Sequence, residues 1–352
     1  MNVETFNYSL ESLPPFFYLN KRNEKNIYIF PTEKEALEFY NNFSNLVPKS
    51  SHFPAWDTLS YDSFTPSLEI QGKRLQTLHN ILVNGSFDIA MSMKSFAQKI
   101  FINDLDVIDL QIGQDVDFEN LIENLAYLGY VHKDRVESRG TFSIRGGQID
   151  IYPLNSENPK RIIFNGDEIV ELKLFDYITQ RSIENIKKVL ITPSSELFQI
   201  NQNDIYDSLE IESKKDLDEY ELFQFSQNLN NFKSLLDFVP DEVSINIIDF
   251  NSCKENFTEL QKLEENSFNN LQKYFSLKVS RMKSRYVDTF LDINKFETNF
   301  YATNNLESIR NVPQFLEGLS TDRVLQNISD LSKVYLFTTN EKIKDKSVSY
   351  TH

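Results

Sequence analysis

Apolar residues recur along this chain at two different spacings, and the switch between them divides it. Residues 27–30 are a short unbroken apolar run, which marks a strand covered on both faces. Thr32 then caps a helix, and Glu35 three residues on completes a capping box. Ala36, Leu37, Tyr40 and Phe43 are its expected buried stripe. The following FPAWDTLSYDSFTPS is aromatic but aperiodic and reads as a loop. A second helix is expected from Thr65-Pro66, a cap followed by proline at the first helical position, with Leu68, Leu75, Leu78 and Leu82 turned inward. Residues 87–91 (FDIAM) form another buried strand. Strand–helix–strand alternation predicts an α/β domain on a largely parallel sheet.

A third helix is predicted over 117–128 from the spacing of Phe118, Leu121, Ile122, Leu125 and Leu128, with Gly129 ending it. The period then changes to two. Gly146-Gly147 fits a two-residue hairpin turn. That turn sets Arg145 opposite Gln148, Ile144 opposite Ile149, Ser143 opposite Asp150 and Phe142 opposite Ile151. One face is then Phe142, Ile144, Ile149 and Ile151, and the other Thr141, Ser143, Arg145, Gln148 and Asp150. A slip of one residue would bury the arginine, so the register is well specified. Lys160–Asn165 adds a strand with Ile162 and Phe164 on the apolar face and Arg161, Ile163 and Asn165 on the other. The helix over 117–128 is a natural cover for the apolar face.

The polar face has two readings. It docks a protein, because a guanidinium fork bonds carboxylates in pairs while its stem packs on apolar surface. Or it faces water, its arginines paired with Asp150, Asp167 or Glu168. Past residue 193 the chain turns acidic and helical, and residues 244–249 (SINIID) form a buried-type strand followed by a helical run. The strand–helix pattern thus returns after the period-two segment, which predicts a discontinuous first domain. The expected division is 1–110 and 194–300 for the parallel-sheet domain, 111–193 for an inserted α+β domain, and 301–352 for the start of another, with a last strand in KVYLFTT.

Charge sharpens this division. The chain of 352 residues has a net charge of -16, which does not suit non-specific nucleic-acid binding. Residues 131–190 hold ten Lys/Arg and nine Asp/Glu, so this segment is nearly neutral within an acidic chain. Cys253 is the single cysteine, so no disulfide forms within the chain, and with no signal-peptide pattern or membrane-length apolar run a cytoplasmic location is expected. Four scattered histidines suggest no metal site. A nucleotide motor needs a GxxxxGK[ST] loop, and none is present; Gly72-Lys73 is followed by Arg74. At the turn after residues 27–30, Glu33 and Glu35 place carboxylates where a phosphate would sit. Asp57 reads as a loop cap, and Trp56, Tyr61 and Phe64 as loop packing.

GTFSIRGGQIDIYPL, continued by PKRIIFNGDEIVELKLFDYITQRS, resembles the UvrB-homology module of the bacterial transcription-repair coupling factors. The residues that carry it are Thr141-Phe142, Arg145-Gly146-Gly147, Ile149-Asp150-Ile151-Tyr152-Pro153, Arg161, Asp167-Glu168-Ile169, Phe175-Asp176 and Gln180-Arg181-Ser182. Upstream, Trp56, Asp57, Thr58, Leu59, Tyr61, Asp62, Phe64 and Pro66 match a second segment of that family. The resemblance covers residues 50–190. It implies a degenerate helicase-like domain carrying an inserted surface for the repair protein UvrA. It implies that the whole protein acts on stalled RNA polymerase and DNA through an ATP-driven motor outside this sequence, and that this part holds no cofactor and catalyses nothing. The family contact uses two arginines and a neighbouring aromatic; Arg145 and Arg161 match the arginines, and Asn165 stands at the aromatic position with Phe164 beside it. The implied UvrA-binding set is Arg145, Arg161, Phe164 and Asn165. The resemblance also implies that the C-terminal domain of the same parent protein can cover this surface. An ATP-dependent repair enzyme of the UvrB type and an unrelated α/β interaction scaffold are the alternatives.

Overall fold

The computed structural model describes residues 3–6, 13–14, 17, 23–58, 64–102, 105–198, 202–209, 219–226, 229, 232–271, 286 and 297–303. The expected KVYLFTT strand, almost all of 301–352, and Leu59, Tyr61 and Asp62 lie outside them. Along the chain come β1 (Val3–Phe6), β2 (Lys25–Phe30), α1 (Glu33–Phe43), β3 (Ser51–Phe53), α2 (Leu68–Val83), β4 (Phe87–Ser92) and α3 (Met93–Ala97). There follow β5 (Ile108–Gln111), α4 (Phe118–Tyr127), β6 (Val131–His132), β7 (Thr141–Ile144), β8 (Gln148–Ile151), β9 (Lys160–Asn165), β10 (Glu168–Phe175), β11 (Ser182–Ile186) and β12 (Lys188–Ile191). Last are α5 (Gln202–Leu209), α6 (Glu219–Ser226), β13 (Ser244–Ile248), α7 (Phe250–Leu271) and β14 (Glu297–Thr303).

One sheet, in the order β1-β14-β13-β2-β4-β3, is parallel throughout. The chain leaves it after β4 and re-enters at β13 beside β2. Unbroken apolar strands need cover on both faces. Ile27, Ile29, Ile89 and Ile245 meet Leu75 and Leu78 of α2 and Phe257 of α7 on one side. Tyr28, Phe30 and Ala90 meet Ala36, Phe39 and Phe43 of α1 on the other.

The capping box at Thr32 and Glu35 forms as expected. The stripe of α1 differs: Ala36, Phe39 and Phe43 are buried, Tyr40 is half-buried and Leu37 is exposed. Leu37 stands roughly 100° round the helix from Ala36, off the line that steps of three and four define. The start of α2 also differs. Ser67, not Thr65, caps it, its Oγ accepting from the Ile70 N–H at 3.4 Å. Asp57 fixes that start, its Oδ1 accepting from the Ser67 N–H at 3.0 Å. Leu82 is exposed, whereas Gln71, Gly72 and Arg74 are buried, because another part of the chain covers them.

That part is a second, antiparallel sheet in the order β11-β10-β9-β8-β7-β6, with only β6 and β7 parallel, accompanied by the β5–β12 pair. The architecture is therefore mixed α/β, with a parallel sheet and a separate antiparallel one. The hairpin register is the expected one: Phe142 pairs with Ile151, Ser143 with Asp150 and Ile144 with Ile149. Arg145 and Gln148 exchange backbone hydrogen bonds of 2.9 and 3.2 Å across the turn. Of the two turn glycines only Gly146 uses a left-handed φ, of +60°. The helix α4 closes the apolar face, with Leu121 and Leu125 packed among Phe142, Ile149, Ile162 and Leu172.

The two sheets meet at a buried joint. Arg74 of α2 and Glu196, just beyond β12, are 0% and 1% exposed and make a 2.7 Å ion pair. Trp56 donates its indole N–H to the same Glu196 Oε1 at 2.9 Å. Gln71 Oε1 accepts from the Glu196 N–H at 3.0 Å. Beside them the backbone of α2 lies against the loop after β8: a Cβ on Gly72 would stand 2.3 Å from the Leu154 carbonyl oxygen. Glycine is needed there for close approach and has no part in a phosphate loop.

Candidate functional site

The polar face of the second sheet is more organised than a solvated surface. Asp150 (β8) and Arg161 (β9) are register partners. Alternation along the strands turns both side chains away from the core. They form a two-pronged pair, Arg161 Nε to Asp150 Oδ1 at 2.8 Å and Nη2 to Oδ2 at 2.9 Å. The Arg161 guanidinium lies 4.6 Å from the centre of the Phe175 ring. The hydrogen bonds it donates to Asp150 hold its pKa above the usual arginine value, against the opposing effect of burial. Asp150 is 2% exposed, and the Arg161 side chain 16%.

Two irregular segments roof this face in part. The β6–β7 loop buries Val136 with Tyr152 and Phe175 in a small second core. The β10–β11 turn, residues 176–181, is tied down by Asp176, whose Oδ1 accepts from the Thr179 N–H. Gln180, left-handed at φ +61°, donates its amide to the Val136 carbonyl at 3.1 Å. Arg135 donates Nη2–H to the Ile178 carbonyl at 2.6 Å. Arg145 in turn donates to the Asp134 carbonyl at 3.0 Å. Gln148, across the hairpin from Arg145, donates to Asp150 Oδ1 at 3.0 Å. The contacts close a ring: Arg145, Asp134-Arg135, the 178–180 turn, Arg161, Asp150, Gln148 and back.

The structure thus brings Arg145 and Arg161 to one rim. Arg145 is exposed, and among the described residues no carboxylate lies within ion-pair distance of it. The pairing of Arg161 with Asp150 is the one the solvated reading expects, whereas Arg145 has only a carbonyl. Asn165 is exposed at the end of β9. Phe164 is elsewhere. Its ring is turned to the opposite face, 8% exposed, and meets Phe118 of α4 edge-on at 5.0 Å. Sequence reasoning missed the contribution of Arg135, Tyr177, Ile178 and Gln180, which lie in aperiodic segments. The one available signal was the pair of exposed apolar residues in DYITQ.

The β2–α1 turn is built without a glycine loop. Glu33 Oε2 accepts from Ser92 Oγ at 2.7 Å and from the Ala55 N–H at 3.3 Å, and Oε1 stands 3.1 Å from His52 Nε2. Glu35 accepts from the Thr32 N–H and hydroxyl. Trp56 is buried packing, while Phe64 is 72% exposed. Among the described residues no group of three or more His, Cys, Asp or Glu is placed to hold a metal ion. None of their helices is long and apolar enough to cross a membrane.

Comparison with known proteins bears on the same region. The profile of the UvrB interaction domain family matches residues 108–197, from the start of β5 to just past β12. The chain is 29% identical over 175 residues to the transcription-repair-coupling factor of Escherichia coli K12, covering 48% of this chain and 15% of that protein. It is 34% identical over 149 residues to that of Bacillus subtilis 168, covering 41% and 13%. With that of Staphylococcus epidermidis RP62A it shares 29% over 251 residues, covering 62% and 21%. These matches agree with the resemblance read from the motifs, and each of these relatives is a transcription-repair-coupling factor. The chain spans between 13% and 21% of these relatives' own length. The matched segment begins on β5 and ends just past β12, two strands that pair with each other. The ring around Arg145 and Arg161 lies wholly inside it.

Proposed function

We propose that this chain is the partner-docking part of a transcription-repair coupling factor, and that the arginine rim of its UvrB interaction domain binds UvrA. The observation that supports this most is the state of Arg145: an exposed guanidinium on a rigid hairpin, oriented by the Asp134 carbonyl and lacking a carboxylate of its own among the described residues. A partner that brings a carboxylate completes it, and a side chain already held loses little freedom on binding. Arg161 contributes its outer edge, because Asp150 takes the Nε edge. Asn165 lies at the border of this surface. Phe164 supports it from the core side.

On this reading the parallel sheet is a helicase-like scaffold whose nucleotide turn is filled by Glu33 and Glu35, and the work done here is recruitment, in the cytoplasm, with neither catalysis nor a cofactor. RNA polymerase and DNA are engaged by parts of the parent protein outside this sequence, and its C-terminal domain competes for the arginine rim. The test is a titration of the chain with UvrA. Arg145→Ala and Arg161→Ala are each expected to weaken association by about 2–5 kcal/mol, with far-UV circular dichroism unchanged. Native affinity in the double variant, or calorimetric binding of ATP by the chain, would overturn the reading.

A further inference from the structure

The β10–β11 turn presents two apolar side chains to solvent where a turn normally carries polar ones. Ile178 is 66% exposed and Tyr177 39%. Neither is loosely placed. The Ile178 carbonyl is clamped by Arg135 at 2.6 Å, and the Tyr177 carbonyl accepts from the Gln180 amide at 2.7 Å. The Tyr177 ring rests 5.9 Å from that of Tyr152. Asp176 caps the same turn from below, with its pKa lowered by the Thr179 backbone and side-chain hydrogen bonds. The turn backbone is therefore held at several points while its apolar tips stay in water.

The position of these tips follows from the ring. Asp134 and Arg135 are consecutive; one carbonyl takes the Arg145 head group and the next side chain holds Ile178. Two residues on, the Gln180 carbonyl lies 3.5 Å from Arg161 Nη1. The turn that carries Tyr177 and Ile178 is thus tied to Arg145 through Asp134-Arg135 and to Arg161 through Gln180. From this juxtaposition we infer that Tyr177 and Ile178 are the apolar anchor of the docking surface, and that its occupant is a protein segment pairing an apolar side chain with carboxylates. The carboxylates answer Arg145, which has no carboxylate within ion-pair distance among the described residues, whereas Arg161 pairs with Asp150 and Arg135 with Glu137. The apolar side chain buries Ile178 and the edge of Tyr177, the arrangement in which rigid aromatic and arginine groups at the centre of an interface carry most of its affinity.

This inference rests on the proposed docking function, and its test separates the two. Binding of purified UvrA to the chain is measured by titration at low and high salt for Ile178→Ser, Tyr177→Ser/Ile178→Ser, Arg145→Ala and the parent sequence. Both substitutions of the turn leave its backbone hydrogen bonds in place. The double turn variant is expected to bind at least about tenfold more weakly. Its dependence on salt is expected to match the parent, because no charge is removed, whereas Arg145→Ala flattens that dependence. Native affinity in both turn variants beside weakened binding in Arg145→Ala overturns the anchor and leaves the docking function standing. Native affinity in all variants, or no binding by the parent sequence, overturns both. Hydrogen exchange across β7–β11 distinguishes a lost contact from a lost fold: unchanged protection supports the anchor, and collapse of the sheet in the turn variants counts against it.

Discussion

Glu33 is half-buried at the first position of α1, where helix N–H groups favour an anion. Burial alone would raise its pKa, but the adjacent His52 imidazole, the Ser92 hydroxyl and the Ala55 N–H outweigh it, and the carboxyl falls below its ordinary 4.5. A depressed carboxyl stabilises the fold fully above its unfolded value and loses that contribution as pH falls through the folded one. Thermal unfolding followed between about pH 3 and 6 is expected to show this acid loss, and Glu33→Gln is expected to flatten it. An unchanged pH profile would show that Glu33 is not the group responsible. The sequence did show that carboxylates stand at this turn. It did not show the partners of Glu33, because Ala55 and Ser92 are brought to it by two different strands. The arginines behave likewise. Alternation put Arg145 and Arg161 on one face, but which of them already owns a carboxylate depended on Asp150 being its register partner across β8 and β9.

At the scale of elements, period and turn chemistry were the legible part. The hairpin register followed from Gly146-Gly147 and from agreement between two alternating strands, and α4 from its apolar stripe and the glycine after it. The errors fell where a tertiary contact overrides the local signal. Helix α2 buries Gln71, Gly72 and Arg74 because the loop after β8 and the segment after β12 lie on them, which no helical spacing of leucines reveals. Gly72 tests this contact through a reversal of sign. In a solvent-facing helix Gly→Ala gains about 1 kcal/mol. Here the added carbon meets the Leu154 carbonyl, and a loss of about 1–3 kcal/mol is expected instead. Urea denaturation of Gly72→Ala decides between the two; a gain would mean that α2 and the loop can part at little cost.

For the whole molecule, the joint between the sheets matters most. Arg74 and Glu196 are fully enclosed, with the guanidinium 4.3 Å from the centre of the Phe53 ring and 5.2 Å from that of Trp56. Removing one partner strands a buried charge, so Arg74→Leu is expected to cost about 3–5 kcal/mol in urea denaturation. Arg74→Leu/Glu196→Leu is expected to recover much of that loss, because no lone charge remains. A double variant as unstable as the sum of its parts would mean that the pair is not the binding element. These two residues stand 122 positions apart in the chain, and the sequence reading assigned neither to the interior, since charged side chains ordinarily face water.

Trp56 belongs to the same joint. It is the chain's single tryptophan, 2% exposed, hydrogen-bonded to Glu196 and edge-on to Phe223. All indole fluorescence of the protein therefore originates at the seam between its two halves. A red shift in emission would report their separation directly, in a native sample, without any attached dye.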